Sequence, residues 1–418
     1  MEDKLITKKE KKEEKIYNVQ SIYNTYFDNL NSVKIYFNKF GTLATGEDDS
    51  IKEKSQEFFD SVLADLNIET EKRATISEEQ KNGKLAEIEA REFLRKFAKK
   101  FKNIPKISPK NYEILSRSSF LMLNNYFEYL IADLLTYYYN KFKNSLNDKE
   151  FKITLKELNE YETVEEATKN LILKEVESII VEKTFDQLLL HFEEKLSISL
   201  ENELIKWDKI IELRERRHLI VHNSSVINKK YISRTKNPFN FNIGDTVHID
   251  NEYFINAWKE FKIAGQLLIL NCWGNWDKDN IDNAIYEIMI QTYEDLKSKQ
   301  YDIVCKTCKY SEQIIPKNDT QEDYLLRIKV NNAISLKKQN KKTELNKVLK
   351  SMKVGTATPI FKICYKILKD DHSDLADYFR KSILLEELNV DYYMEWPIFD
   401  FVRNKEDLNS ELLKTFET

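Results

Sequence analysis

Glycine and proline are scarce in this sequence of 418 residues, which contains 7 Gly and 6 Pro. A β-sheet protein needs a turn after nearly every strand, and these two residues supply the backbone angles of many such turns. A chain of this length with so few of them cannot build many strand connections. We therefore expect an all-α fold of helices joined by short polar segments.

Cysteine is also rare, since the whole chain has only Cys272, Cys305, Cys308 and Cys364. Four thiols are too few for a disulfide scaffold at this size and suit a reducing compartment, and the single Cys305–Cys308 pair does not predict a zinc site. No apolar run reaches the roughly 20 residues of a membrane helix. The first 15 residues mix Lys and Glu and lack the apolar core of a secretory signal. These absences favour a cytoplasmic protein without a membrane partner.

The formal charge of the chain is −4, which argues against binding nucleic acid through the whole surface. One segment differs: residues 214–236 hold seven Lys or Arg and one acidic residue, Glu215, for a net charge of +6. We call residues 214–236 the basic segment. Charge runs are often only a solvated surface, so the charge does not decide the function by itself.

Apolar residues recur at helical spacing along most of the chain. A loop is predicted between Gly41 and Gly46, a domain boundary at the prolines of 104–109, and a short hairpin or extended loop at 241–249. These breaks divide the chain into an N-terminal helical region (1–104), a central helical domain (105–277) and a C-terminal domain of helix pairs (278–418). Helices are predicted over 16–42, 52–66, 80–103, 111–145, 165–183, 185–197, 200–222, 251–273, 280–298, 320–338, 342–352, 358–369, 373–387 and 405–416.

The stretch from Glu212 to Asn223, which reads ELRERRHLIVHN, combines three arginines with two histidines. Arginine is permanently cationic, and its planar set of donors suits a phosphate. Histidine has the ordinary pKa nearest neutrality, so it can accept or donate a proton. One residue of each kind beside a scissile phosphate is the minimum for metal-free RNA cleavage, because the histidine moves the proton and the cation stabilises charge on the phosphate.

The two histidines also admit other interpretations. His218 and His222 are four residues apart, at metal-ligand spacing on a helix, and Glu215 could be a third ligand. However, Leu219 stands where a zinc-protease helix carries glutamate, and the flanking arginines repel a dication. We therefore expect no metal here. A surface histidine pair at the end of a basic helix is the remaining structural alternative.

Arg217 and His222 are five residues apart, which is about 140° around an ideal helix. A single straight helix cannot easily direct both side chains onto one phosphate. Either the helix ends near Val221, or two copies of the chain meet across a two-fold axis and build a composite site. The spacing therefore predicts a dimer.

An arginine, a polar residue, three more residues and a histidine are the signature of the HEPN superfamily of ribonucleases, which this chain resembles at Arg217, His218 and His222. The flanking residues 215–231 and 244–253 are similar to HEPN domains of bacterial defence and abortive-infection proteins. The apolar segment around 118–130 resembles the helix that such domains pack against the motif helix. The resemblance covers about residues 111–273, and Ser225 departs from it because family members often carry glycine there.

The resemblance implies a HEPN-type helical bundle that dimerises with both motifs facing a shared cleft. It implies metal-independent RNA cleavage without a cofactor, leaving 2′,3′-cyclic phosphate and 5′-hydroxyl ends. His222 would be the acid–base group, Arg217 the phosphate clamp, and His218 the polar helper that orients one of them; Asn223 is a fourth catalytic candidate. The candidate RNA contacts are the surrounding basic and aromatic residues Arg214, Arg216, Lys229, Lys230, Tyr231 and Arg234, with Phe239 as a further stacking ring.

We thus expect an endoribonuclease effector of anti-phage defence, with flanking helical regions that sense a phage or host trigger. One alternative is a non-catalytic HEPN module that holds RNA or a nucleotide without cutting it. Another is a helical scaffold or a toxin-neutralising partner. The intact pair of Arg217 and His222 favours the enzyme, because a scaffold does not need it.

Overall fold

The computed structural model describes residues 18–74, 91, 94, 95, 98, 110–147, 149–200 and 203–417. Within these ranges the chain forms seventeen α-helices and no β-strand, which confirms the all-α prediction. In chain order the helices are α1 (Val19–Ala74), α2 (Asn111–Lys141), α3 (Leu155–Leu158), α4 (Val164–Glu182), α5 (Phe185–Glu194), α6 (Trp207–His222), α7 (Lys229–Thr235), α8 (Asn251–Trp276), α9 (Ile281–Lys297), α10 (Tyr301–Ser311), α11 (Asp319–Lys338), α12 (Lys342–Ser351), α13 (Pro359–Leu368), α14 (Leu375–Leu384), α15 (Val390–Glu395), α16 (Asp400–Arg403) and α17 (Glu406–Lys414).

Helix α1 contradicts the predicted loop between Gly41 and Gly46, since it continues through both glycines for 56 residues. Neither glycine has a positive φ, so neither uses the conformational freedom that would end a helix. Glycine inside a helix costs about 1 kcal/mol relative to alanine.

The other predicted helices that fall on described residues agree with the structure within a few positions, apart from the helix predicted from residue 200, which begins only at Trp207. Helix α10, which contains the two nearby cysteines, was not predicted. The predicted helix over 80–103 lies outside the described residues except at four positions, and the predicted boundary at 104–109 lies outside them entirely. The three-domain division stays a prediction.

By its internal contacts the chain forms two compact units. The first comprises the described parts of residues 1–28, 126–211 and 259–418, and the second those of 29–125 and 212–258. The limits fall inside α1, α2, α6 and α8 rather than in loops, so turn residues in the sequence do not mark them. The motif residues all belong to the second unit.

In the first unit, aromatic side chains of α1, α2 and α8 form a common core. The Tyr26 hydroxyl donates to the Phe261 carbonyl at 2.7 Å, and the Phe127 and Phe261 rings lie 5.3 Å apart. Gly265 lets α1 and α8 approach closely, because a Cβ there would overlap the Tyr26 ring. Helices α9 and α10 pack on α11, and α13 packs on α14.

In the second unit, the core joins α1 to the start of α8 through the stacked rings of Phe37 and Phe254, whose centroids lie 3.8 Å apart. The Asp48 carboxylate caps α2 by accepting from the backbone N–H groups of Asn111 and Tyr112, each at 3.0 Å. These hydrogen bonds, that of Tyr112 foremost, lower the pKa of Asp48. The second unit thus contains parts of α1, α2 and α8 that are joined to one another by these contacts.

No helix in the described ranges combines the length and the apolar composition that crossing a membrane requires.

Candidate active site

The motif lies on the last turns of α6, and its two histidines are neighbours. The ring centroids of His218 and His222 are 4.8 Å apart with the planes tilted by 46°. His218 is half-buried, while His222 is the exposed last residue of the helix. Two proton carriers therefore lie side by side at the surface end of α6.

Arg217 projects from a different side of α6 than His222. Helix α6 continues through His222, so the separation of about 140° expected for five helical residues applies. Arg217 is half-buried, and its Nε atom is buried without a hydrogen-bond partner among the described residues. The charge of Arg217 bears on His218, but the helical spacing directs Arg217 and His222 to different sides of α6.

The face of α6 that carries both histidines also carries Glu215, since these residues are three and four positions apart. This face lies beside α7, because Arg234 of α7 forms an ion pair with Glu215 at 2.6 Å. Burial lowers the pKa of His218, and the positive charges of Lys230 and of His222 lower it further. His218 is therefore a neutral imidazole at pH 7, able to accept a proton.

Backbone hydrogen bonds join the turn between α6 and α7 to the loop that precedes α8. The backbone N–H groups of Asn223 and Ser225 both donate to the Leu219 carbonyl, at 2.9 and 3.0 Å, and the Val247 N–H donates to the Ser225 carbonyl at 2.8 Å. An isolated antiparallel bridge joins residues 226 and 246. The extended segment predicted at 241–249 is thus present as a loop paired to this turn.

Ser225, the position where the resemblance expects glycine, has a φ of 65° and is fully buried. This left-handed backbone is the conformation that glycine adopts without strain. The side-chain nitrogen of Asn223 donates to the Val226 carbonyl at 2.5 Å. Asn223, predicted as a fourth catalytic residue, thus has its amide nitrogen engaged in holding the turn.

Two predicted RNA contacts, Arg216 and Tyr231, are instead buried, with 3% and 1% of their surface exposed. The Glu212 carboxylate accepts from Arg216 Nε at 2.8 Å, from the Tyr231 hydroxyl at 2.5 Å and from the Tyr253 hydroxyl at 2.6 Å. The Arg216 guanidinium also lies 3.8 Å from the centre of the Tyr253 ring. This corrects the prediction, because side chains so enclosed cannot contact RNA in this conformation.

We call Glu212, Arg216, Tyr231 and Tyr253 the buried cluster. Burial raises the pKa of Tyr231 and of Tyr253, and the charge of Glu212 raises both further. Both phenols therefore stay protonated and donate to Glu212. The cluster joins α6, α7 and α8, and so fixes α7 beside the histidine face.

The other predicted RNA contacts differ in accessibility. Lys229 and Lys230 of α7 are exposed, while Arg214 is half-buried and Arg234 is engaged with Glu215. Phe239 exposes 47% of its surface while Arg216 lies 4.7 Å from the centre of its ring. Two cations and one aromatic ring of the predicted set thus remain open to a ligand.

No group of three or more His, Cys, Asp and Glu residues in the described part of the chain is arranged to hold a metal ion. Glu215, which the sequence offered as a third ligand beside the two histidines, is bound to Arg234. On α10, the Cys308 thiol donates to the Ile328 carbonyl at 3.4 Å.

A concave feature lies in the first unit, between α2 and α4. It is an open groove of about 1130 Å³, with apolar residues such as Tyr129, Leu173 and Val181 along its walls. Glu128 and Glu177 add negative charge to it. The groove contains no motif residue.

Comparison of the chain with models of protein families, with curated proteins and with solved structures gave no match.

Sequence reasoning found the motif but missed the buried cluster. Glu212 and Arg216 stand at the i, i+4 spacing of a helical ion pair, which was a local signal for one part of it. Tyr253 lies 41 residues after Glu212, and nothing local in the sequence joins them.

Proposed function

We propose that this chain is a metal-independent endoribonuclease whose proton-transferring groups are the histidines of α6. The observation that carries the proposal is the pair of adjacent imidazoles, 4.8 Å apart, at the exposed end of a helix beside the cations of α7. One neutral imidazole and one protonated imidazole are the two forms that acid–base cleavage of RNA requires.

In the reaction proposed, the ribose 2′-oxygen attacks the adjacent phosphorus while a neutral imidazole takes the 2′-hydroxyl proton. The bond from phosphorus to the 5′-oxygen breaks, and a protonated imidazole donates a proton to that leaving oxygen. The products are a 2′,3′-cyclic phosphate and a 5′-hydroxyl, and no water enters. The lowered pKa of His218 supports the neutral role for that residue, and the exposure of His222 supports its contact with the substrate.

Arg217 enters this proposal through a second copy of the chain. Because it faces away from His222 on the same helix, a two-fold dimer would bring the guanidinium of one copy to the histidine face of the other. The prediction is a dimer by light scattering at micromolar concentration. A monomer that cleaves RNA at full rate would contradict this part of the proposal.

The role in anti-phage defence rests on the resemblance of residues 111–273 to defence-associated HEPN domains. We expect production of the wild-type chain to arrest growth of a bacterial host under the triggering condition. His222→Ala should abolish the arrest while protein levels stay equal. Growth arrest that persists in cells producing His222→Ala would contradict the claim that RNA cleavage through His222 causes the arrest.

The direct test incubates purified protein with single-stranded RNA in EDTA. Wild type should cleave, and His222→Ala and Arg217→Ala should each lose about 100-fold or more in rate while they retain wild-type circular dichroism and melting. Folded wild type that binds RNA without cutting it would favour the non-catalytic binding module. Cleavage that EDTA abolishes would contradict the metal-free mechanism.

A further inference from the structure

The face of α6 that carries His218 and His222 has a second cation-bearing helix beside it, and the register between the two helices follows from their contacts. Helix α7 runs back along α6, because Ile227 before α7 shares an apolar cluster with Leu219 while Arg234 at its far end pairs with the earlier residue Glu215. Arg234 of α7 is paired with Glu215 of α6 at 2.6 Å, which fixes one point of the register.

Lys230 lies one helical turn before Arg234 and on the same side of α7. Four residues correspond to about 6 Å along a helix axis. The same distance along α6, from Glu215 towards its end, leads to the level of residue 219, which lies between the two histidines. Lys230 is therefore level with the histidine pair. The packing is consistent with this register, because Tyr231, the next residue of α7, is buried in the same apolar cluster as Leu219.

We propose that Lys230 is a catalytic residue of the same site: its ammonium contacts the scissile phosphate held by the two histidines and stabilises the charge that develops on its oxygens. This inference rests on the proposed ribonuclease function. It gives each chain a cation from α7 on its own histidine face, whereas Arg217 projects from a different side of α6 than His222. The ligand is a phosphodiester whose attacking hydroxyl is on the adjacent ribose.

The surroundings suit this role. Lys230 is exposed, so its four-carbon side chain is free to reach outward, while the neighbouring Tyr231 anchors α7 through Glu212. An ammonium held beside a reacting phosphate by an anchored helix needs no rearrangement as charge develops, which makes it effective. Lys229 is equally exposed and adjacent in sequence, but it lies about 100° around α7 from Lys230.

Lys229 therefore supplies a matched comparison. Both Lys229→Ala and Lys230→Ala remove one cation from the basic segment, so both should weaken binding of an RNA with 2′-deoxyribose at the cleavage position by a similar two- to fivefold factor. In single-turnover cleavage in EDTA, Lys230→Ala should lose about 100-fold in rate. The rate of Lys229→Ala should fall by no more than its two- to fivefold loss of RNA binding. Lys230→Arg should restore the rate to within about tenfold of wild type, because it returns a cation that binds phosphate.

A second readout does not depend on cleavage. The groups that bear on the His218 imidazole are Lys230, His222, Glu215 and Arg217. In an NMR titration, Lys230→Ala should raise the pKa of His218, because it removes a neighbouring positive charge, and Lys229→Ala should change it less.

Three outcomes separate the claims. The inference is supported if wild type cleaves RNA, Lys230→Ala cleaves it about 100-fold more slowly, and Lys230→Arg recovers most of the rate. If wild type cleaves RNA and Lys230→Ala is no slower than Lys229→Ala, the inference about Lys230 is wrong, but the proposed ribonuclease function is unaffected. Folded wild type that cleaves no RNA overturns the proposed function, and the catalytic role of Lys230 falls with it even where the His218 titration places the lysine beside the histidine.

Discussion

Removing the Glu212 carboxylate should release α7 from the motif helix. Glu212 is 5% exposed and accepts three hydrogen bonds, from Arg216, Tyr231 and Tyr253. Glu212→Ala leaves the Arg216 guanidinium buried without its counter-charge and leaves two phenol hydroxyls without their acceptor. The same residues hold Lys230 in its register, so the loss is both structural and functional.

The magnitude follows from the geometry. Breaking a buried ion pair by removing one partner costs about 3–5 kcal/mol. Water that enters the vacated space accepts from the two phenol hydroxyls, so the loss of their hydrogen bonds to Glu212 adds little to this cost. We expect Glu212→Ala to lower the local free energy of unfolding by about 4 kcal/mol. Glu212→Gln, which keeps the shape and one acceptor but loses the charge, should lower it by about half as much.

Hydrogen exchange followed by mass spectrometry measures this local opening. A loss of about 4 kcal/mol corresponds to exchange about 1000-fold faster for amides of α7 that exchange through it. Glu53→Ala is the control, because it removes an exposed carboxylate from the same unit. Protection of α7 in Glu212→Ala equal to that in Glu53→Ala would refute the reasoning, since it would mean that the buried cluster does not hold α7.

Three further predictions concern stability. Gly265→Ala should destabilise the first unit by about 3 kcal/mol in urea unfolding, because the new methyl group overlaps the Tyr26 ring. Ser225→Gly should be about 1 kcal/mol more stable than Ser225→Ala, because only glycine adopts the φ of 65° without strain. Burial lowers the pKa of His191 to about 4, aided by nearby lysines, so its neutral form, which shares a hydrogen bond between Nε2 and the Tyr139 hydroxyl, is the stable one. The stability that the neutral form contributes is complete above pH 6.5 and is lost as the pH falls towards 4. Solvent screening of the partly exposed ring reduces this loss to about 2 kcal/mol in urea unfolding.

Each of these has its own control. Gly46→Ala, where no atom lies within 4 Å of the new methyl group, should stabilise α1 by about 1 kcal/mol, and equal effects of the two glycine substitutions would contradict the close-approach argument. Ser225→Ala as stable as Ser225→Gly would show that the left-handed turn carries no strain. His191→Gln should flatten the pH dependence between 6.5 and 4, and an unchanged slope would assign it to other groups.

Most helices could be predicted from the sequence because their apolar residues recur with the helical period. Helix α2 is the clearest case, with Phe120, Leu123, Phe127 and Leu134 all buried as the pattern indicates. The predicted loop at Gly41 and Gly46 failed because a glycine interrupts a helix only where a positive φ or a competing contact requires it. The two compact units could not be predicted, since their limits lie within helices.

The candidate site was only partly predictable for a related reason. The motif residues are contiguous, so their identity and spacing were visible. Arg216 and Arg217 are neighbours with the same chemistry, yet one is enclosed by the buried cluster and the other is half-buried. That difference depends on Tyr253, which arrives from a distant helix, so no local pattern distinguishes the two arginines.

The central claim is that the chain cuts RNA without a metal, through the 2′-hydroxyl and the histidines of α6. Its most direct test is mass spectrometry of the products formed from a defined RNA in EDTA, beside the same RNA with one 2′-deoxyribose at the cleavage position and beside His222→Ala protein. The account predicts 2′,3′-cyclic phosphate and 5′-hydroxyl ends from wild type, and no cleavage at the deoxyribose or by the variant. Products with 5′-phosphate ends, or cleavage at the deoxyribose, would contradict it.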